Sequence, residues 1–273
     1  MSESAVESFR ALHESGCFVL PNPWDKGTAV YLKHLGFKAL ATTSAGFAFS
    51  RGLPDAPEVM NVDDVLAHVR DIVEATALPV NADFQNGYAD DPEAVAENVA
   101  RCVATGVAGL SIEDATGKST TPLYDIQLAV ERIKAARRAI DQSGTPVVLT
   151  GRCEAWLVRD PNAFAVSLKR LTAYSEAGAD CLYAPGVTDP REIEAIVKVV
   201  APKPVNVLVS RPAPNLTVAK LADLGVRRIS VGAALARVAW GSFMRAAQSI
   251  ATTGSFDALG EAAASAELNR IFQ

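Results

Sequence analysis

Eight short apolar runs recur along the chain, at CFVLP (17–21), FKALAT (37–42), LPVNA (78–82), GLSIE (109–113), PVVLT (146–150), DCLYA (180–184), PVNVLV (204–209) and RRISV (227–231). Each is close to continuous in apolar character, the mark of a strand buried on both faces; strict alternation would mark one face in water. Between them lie patterns such as VDDVLAHVRDIVEA, DPEAVAENVARCVATG, IQLAVERIKAARRAI and DPREIEAIVKVV. Their apolar residues fall three and four apart, as an amphipathic helix needs. Several open on Asp or Asp-Pro and close on Gly, the chemistry of helix starts and stops. Strand and helix in alternation predict an α/β fold with parallel strands, and eight strands predict a (β/α)8 TIM barrel. A doubly wound sheet is the rival. Against it, no G-x-G-x-x-G follows the first run, and polar residues follow many runs rather than one switch point. After the eighth run, AALARVAWGSFMRAAQSIATTG and FDALGEAAASAELNRIF read as two further helices. The barrel needs only one of them, so residues 232–273 predict a C-terminal helical arm within a single barrel domain, 1–273.

The 273 residues are 49% hydrophobic and 21% charged, enough for a large core, and no stretch has the composition of a disordered tail. A net charge of −5 and a pI near 5.3 argue against nucleic-acid or anionic-membrane partners, which would find no basic patch. Cys17, Cys102, Cys153 and Cys181 lack C-x-x-C spacing, and MSESAVESF has neither the basic start nor the apolar run of a signal peptide. Reduced thiols in a cytoplasm are the expectation, with no membrane-spanning segment.

The chemistry-bearing residues gather where the runs end. VNADFQNGYAD (80–90) and LSIEDATGKST (110–120) place Asp83, Glu113 and Asp114 at the loop ends of neighbouring strands. Carboxylates so placed can converge on one hard cation such as Mg2+, which takes oxygen ligands, or can cap helices and pair with lysines. Arg152, in LTGRCEAW, offers a planar fork that binds a carboxylate through two charge-assisted hydrogen bonds, or else an ion pair with Glu154. Lys118 lies in a polar stretch that a solvated loop would equally explain. SVGAALA (230–236) reads as a phosphate cup or as a tight strand-to-helix turn. His13, His34 and His68 fall in helical patterns, which favours surface or packing roles.

These segments resemble the metal-binding strand ends of the isocitrate lyase and phosphoenolpyruvate mutase superfamily. The superfamily pattern D-A-D-x-G-Y-G is met by Asn81-Ala82-Asp83-Phe84-Gln85-Asn86-Gly87-Tyr88, with Asn81 in place of the first acid and two residues inserted before Gly87. Glu113 and Asp114 match the E-D pair. Where lyases of the superfamily carry K-R-C-G-H and mutases K-T-N-S, this chain has Lys118-Ser119-Thr120-Thr121, without a cysteine. LTGRCEAW resembles A-R-T-D-A and gives Arg152; Thr43, Ser44 and Ala45 resemble the S-G-x turn, and RGLPD resembles L-G-x-x-D and gives Asp55. Strand six ends in Ala184-Pro185-Gly186, where relatives often place His or Glu, and strand seven offers Asn206.

The resemblance implies a lyase-type enzyme that cleaves or decarboxylates a small 2-oxo or 2-hydroxy dicarboxylate through an enolate stabilised by Mg2+ (or Mn2+). Asp83, Asn81 and Glu113 would hold the metal. Lys118, Arg152, Glu113 and Asp55 would serve catalysis, and Thr43, Ser44, Ala45, Arg152 and Asn206 would bind the oxo-acid substrate. It also implies a homo-oligomer, dimer or tetramer, with C-terminal helices exchanged between subunits. Phosphonopyruvate or phosphoenolpyruvate P–C chemistry, and non-catalytic oxo-acid binding, are the alternatives.

Overall fold

The computed structural model describes residues 4–56 and 59–273. The eight runs form eight parallel strands: β1 (Phe18–Leu20), β2 (Leu40–Ala41), β3 (Val80–Asp83), β4 (Gly109–Glu113), β5 (Val148–Arg152), β6 (Cys181–Tyr183), β7 (Val205–Leu208) and β8 (Arg228–Ser230). Their hydrogen-bonded order is β1-β8-β7-β6-β5-β4-β3-β2. The ring is drawn shut where the Ala41 N–H donates to Pro21 O at 3.0 Å, beyond the end of β1. This is the (β/α)8 barrel that the alternation predicts.

Helices Val62–Thr76, Pro92–Val103, Ile126–Gln142 and Pro190–Val200 cover the four periodic patterns. Asn61, Asp91, Asp125 and Asp189 cap them by accepting from first-turn backbone N–H groups. Each such cap stabilises by about 1 kcal/mol, which is why the Asp-Pro starts were legible. Successive strand residues face opposite sides of the sheet. Leu110, Ile112, Leu149 and Leu182 therefore pack outward with Val99 and Ile133 in the apolar core. Residues of the other parity, among them Asn81 and Asp83, Ser111 and Glu113, and Arg228 and Ser230, point into the barrel, which is polar at its C-terminal end.

The C-terminal arm departs from expectation in one place. Helix Ala234–Thr253 forms as predicted and stops at Gly254, whose φ is 70°. The second predicted helix is broken into a 3-10 turn, Asp257–Glu261, and a short helix, Ser265–Ile271. Gly260 weakens the helix from within, and neither piece contains a buried residue, so tertiary packing does not hold a longer helix together. Val238, Phe243, Met244 and Phe256 are 61–67% exposed, leaving the arm with an uncovered apolar face. Among the described residues, no helix is long and apolar enough to cross a membrane.

Candidate active site

A cavity of about 350 Å3 opens at the C-terminal ends of the strands, lined by Thr43, Ser44, Ala45, Asp55, Asp83 and Arg152 among others. Asp83 ends β3. Its N–H donates to Thr42 Oγ1 at 2.9 Å, its Oδ2 accepts the Ser44 N–H at 2.9 Å, and its Oδ1 accepts from Arg152 Nη1 at 3.0 Å. Register places Glu113 directly beside Arg152 on the neighbouring strand, and Glu113 Oε2 lies 3.1 Å from the same Nη1. Glu154 takes the Nε side of the fork. Three carboxylates thus surround one guanidinium, all four side chains being 6–18% exposed.

Burial, and after it that excess of negative charge, shapes the titration of the site. Burial pushes the Glu113 carboxyl well above its ordinary range; Arg152 opposes this, and the Glu154 and Asp83 charges reinforce it. Burial raises Glu154 too, again against the pull of Arg152. At the rim, desolvation against the cavity wall and then the Asp83 charge raise Asp55. Burial by itself would loosen the proton of Arg152, but Glu113, Glu154 and Asp83 more than reverse it, so the guanidinium is firmly charged.

Glu113 and Asp114 part company, as strand parity requires. Asp114 turns away from the cavity: its Oδ1 accepts the Glu154 N–H at 2.8 Å, and its Oδ2 accepts from Tyr174 Oη at 2.6 Å and Arg170 Nη1 at 3.1 Å. It positions the backbone that carries Glu154. Thr43 caps the short helix Ser44–Ser50, its Oγ1 accepting the Gly46 N–H at 3.2 Å. Gly46 is needed for this close approach, since a Cβ there would come within 2.6 Å of Thr43 Cγ2 and 3.0 Å of Trp24 Cβ.

Asn81 and Asn206 lie one layer deeper, around a residue that sequence reasoning missed. Arg228 is 2% exposed, and its Nε donates to Asn206 Oδ1 at 2.9 Å and its Nη2 to Thr150 Oγ1 at 3.0 Å. Its Nη1 is 3.4 Å from Asn81 Oδ1. Asn206 is held in place, since its Nδ2 also donates to Ser230 Oγ at 2.9 Å, and it lines the cavity floor. No carboxylate pairs with Arg228 among the described residues. The signal was a charged residue two places before Ser230 in an otherwise apolar strand, hence on the same inward face. Asn22 was missed as well. Its Oδ1 accepts the N–H groups of Val231 and Gly232 at 3.0 and 2.8 Å, and its Nδ2 donates to Thr42 O at 2.9 Å. Those two amides are consumed in binding β8 to β1 and β2, which makes SVGAALA a tight strand-to-helix turn.

Lys118 stands apart from the cavity. Its loop folds on itself through the Ala115–Leu123 pairing, and its Nζ lies 3.4 Å from Asp90 Oδ2, both side chains being exposed. For a hard cation, Asp83 and Glu113 offer carboxyl oxygens that converge on one point, held by the Arg152 guanidinium. This donor chemistry fits a divalent ion. Among the described residues, no group of three His, Cys, Asp or Glu side chains assembles around such a point.

His13 and His68 pack and His34 is exposed, the packing and surface roles expected of them. The His68 ring stacks on Phe47 at 3.9 Å, and its Nε2 is buried with no hydrogen-bond partner among the described residues. Burial lowers its pKa to about 4, and burial and then the Arg228 charge lower that of His13 to about 3. Below pH 6.5 the unfolded chain takes up protons that the folded histidines refuse. Their stabilisation is therefore complete above that pH and is lost as pH falls, by up to about 1.4 kcal/mol per unit for each. We expect His68→Phe to keep the stack and flatten this acid slope, read as the urea midpoint between about pH 7 and pH 5. An unchanged slope would show that folded His68 accepts its proton.

The family model for phosphoenolpyruvate phosphomutase matches residues 9–251 of the chain. A candidate lyase/mutase from Burkholderia cenocepacia J2315 is 47% identical and superposes with a TM-score of 0.93, over 98% of this chain and 95% of that one. A 2,3-dimethylmalate lyase of the PEP mutase/isocitrate lyase superfamily is 26% identical, with a TM-score of 0.88 over 100% of this chain and 96% of that one. The 2-methylisocitrate lyase of Halalkalibacterium halodurans is 28% identical over 257 residues, 93% of this chain and 84% of the relative.

Proposed function

The chain belongs to the phosphoenolpyruvate phosphomutase family, and we propose that it is a carbon–carbon lyase of the wider superfamily acting on a small 2-oxo or 2-hydroxy dicarboxylate. The observation that carries this reading is the meeting of Asp83 and Glu113 at Arg152 in a cavity walled by Thr43, Ser44 and Ala45. Asp83 and Glu113 would hold Mg2+, with Mn2+ as the alternative; Asn81 would join them only by turning away from Arg228. The bound ion would supply Lewis-acid stabilisation of the negative charge that develops on the substrate's oxo oxygen.

Arg152, at the cavity wall, would take a substrate carboxylate on its Nη side while Glu154 keeps the Nε side aimed. Asp55, with its raised pKa, is suited to exchange a proton at the rim. Lys118 reaches the substrate by leaving Asp90 as its loop closes. Asn206, held by Arg228 and Ser230, forms part of the floor on which the substrate rests. The apolar face of the C-terminal arm fits a second copy of the chain, in a dimer or tetramer.

A panel of 2-oxo and 2-hydroxy dicarboxylates plus phosphonopyruvate, each with Mg2+, Mn2+ or a chelator, tests the reading. Metal-dependent cleavage of a dicarboxylate is the expected result. Turnover of phosphonopyruvate alone would move the chain to P–C chemistry, binding without turnover would make it an oxo-acid binder, and neither binding nor turnover would reject all three.

Arg152→Lys keeps the charge but loses the two-pronged fork, so oxo-acid affinity should fall by about 1.5–3 kcal/mol by calorimetry. Affinities unchanged in this variant and in Arg152→Ala would remove Arg152 from substrate binding. We also expect little cleavage of isocitrate or 2-methylisocitrate. Those reactions protonate a carbon leaving group, and Ser119, Thr120 and Thr121 stand where lyases of the superfamily place a Cys. No cysteine lines the cavity, and Cys102, Cys153 and Cys181 are buried, with thiols pushed up by that burial. Loss of positioned proton transfer should slow such cleavage about 10²–10⁴-fold. Cleavage at ordinary enzymatic rates would overturn this exclusion.

A further inference from the structure

Three arginines line the cavity, and they differ in what already binds them. Arg152 is surrounded by three carboxylates, and Arg228 is buried and held by Asn206, Thr150, Asn81 and the His13 ring. Arg237, in the first turn of helix Ala234–Thr253, is exposed at the mouth and makes no ion pair or side-chain hydrogen bond among the described residues. On its far side lies an apolar hollow formed by Phe49, Gly52, Leu53, Trp240, Gly241 and Met244, whose side chains offer no acceptor. Nothing there competes for the guanidinium.

The placement of Arg237 relative to Arg152 is what gives it a use. The helix that carries it follows β8, whereas Arg152 ends β5, three strands away around the ring. The same helix packs beside the Thr43–Ala45 wall, where a Cβ on Gly46 would lie 3.4 Å from Ala236 Cβ. A ligand lying along that wall with one carboxylate at Arg152 therefore extends its other end toward Arg237. The inner-end guanidinium of Arg228 is already held by Asn206 and Thr150, so a second anionic group finds its uncommitted partner at the mouth.

We propose that Arg237 is the specificity-determining residue that binds the distal carboxylate of the substrate, making the site selective for dicarboxylates over 2-oxo and 2-hydroxy monocarboxylates. This rests on the oxo-acid reading of the site. Its fork can grip a carboxylate with two charge-assisted hydrogen bonds, and its exposure lets the ligand reach it without unfolding any packed element.

The test uses calorimetry on the full chain with saturating Mg2+ and four probes: oxalate, which is too short to span the site, malate, lactate and phosphonopyruvate. Arg237→Gln should leave oxalate affinity within about twofold and weaken malate about tenfold or more, close to the affinity of lactate, which itself should not change. Arg237→Lys should recover part of the loss. Malate affinity unchanged in Arg237→Gln would overturn the proposal, and weakening of phosphonopyruvate but not malate would do so by assigning Arg237 to a phosphonate. If wild-type protein binds no oxalate, the oxo-acid reading fails first and the proposal fails with it. The side chain is exposed, so matching thermal midpoints for the variants and wild type would confirm that only binding is measured.

Discussion

Asp83→Ala is expected to lower kcat/KM by about 10³-fold or more, because it removes both an anionic ligand for the divalent ion and one of the carboxylates that hold Arg152. The fold should survive. Arg152 Nη1 keeps Glu113 as a partner, the Ser44 N–H left without its acceptor sits at the cavity wall, and the Asp83 backbone bond to Thr42 remains. Asp83→Asn separates charge from shape, since its amide oxygen can still accept from the Ser44 N–H but adds no negative charge. Steady-state rates across a Mg2+ titration, with a thermal midpoint as the control for folding, would decide the matter. Rates near wild type in Asp83→Ala would remove this carboxylate from the chemistry. Wild-type rates in Asp83→Asn alone would show that an oxygen donor suffices without the charge.

Arg228→Met should destabilise the fold by about 2–4 kcal/mol, the second large effect. Methionine replaces most of the volume but no donor, which leaves Asn206 Oδ1, Thr150 Oγ1 and Asn81 Oδ1 facing one another in the barrel. Each orphaned acceptor costs roughly 1–3 kcal/mol, and relief from burying an unpaired cation offsets part of the sum. Urea unfolding gives the magnitude. A second reading is independent of it: the Arg228 charge helps hold the His13 pKa near 3, so the variant should titrate His13 at higher pH. An unchanged midpoint together with an unchanged His13 would show that Arg228 holds no part of the interior.

Much of this protein could be read from residue order, because the relevant physics is local. A strand buried on both faces needs an apolar run, a helix beside it needs apolar residues three and four apart, and a helix start needs a cap; all three are properties of neighbours in sequence. The eight strands and the caps Asp91, Asp125 and Asp189 follow from that. So do the positions of Asp83, Glu113 and Arg152 at strand ends, although Asp114, grouped with them by position, falls by period-two parity on the opposite face from Glu113. What the tertiary structure decided is which strand ends face one another across the ring. The stagger of eight strands sets this, and it has no local signature. Only closure of the ring brings Arg228 between Asn81 and Asn206, turns the expected metal-ligand position Asn81 toward a guanidinium, and commits Asn22 to the amides after β8. The broken arm after Gly254 has the same origin: its pattern suits a helix, but no partner surface buries it within one chain, and without burial the pattern alone does not hold the helix together.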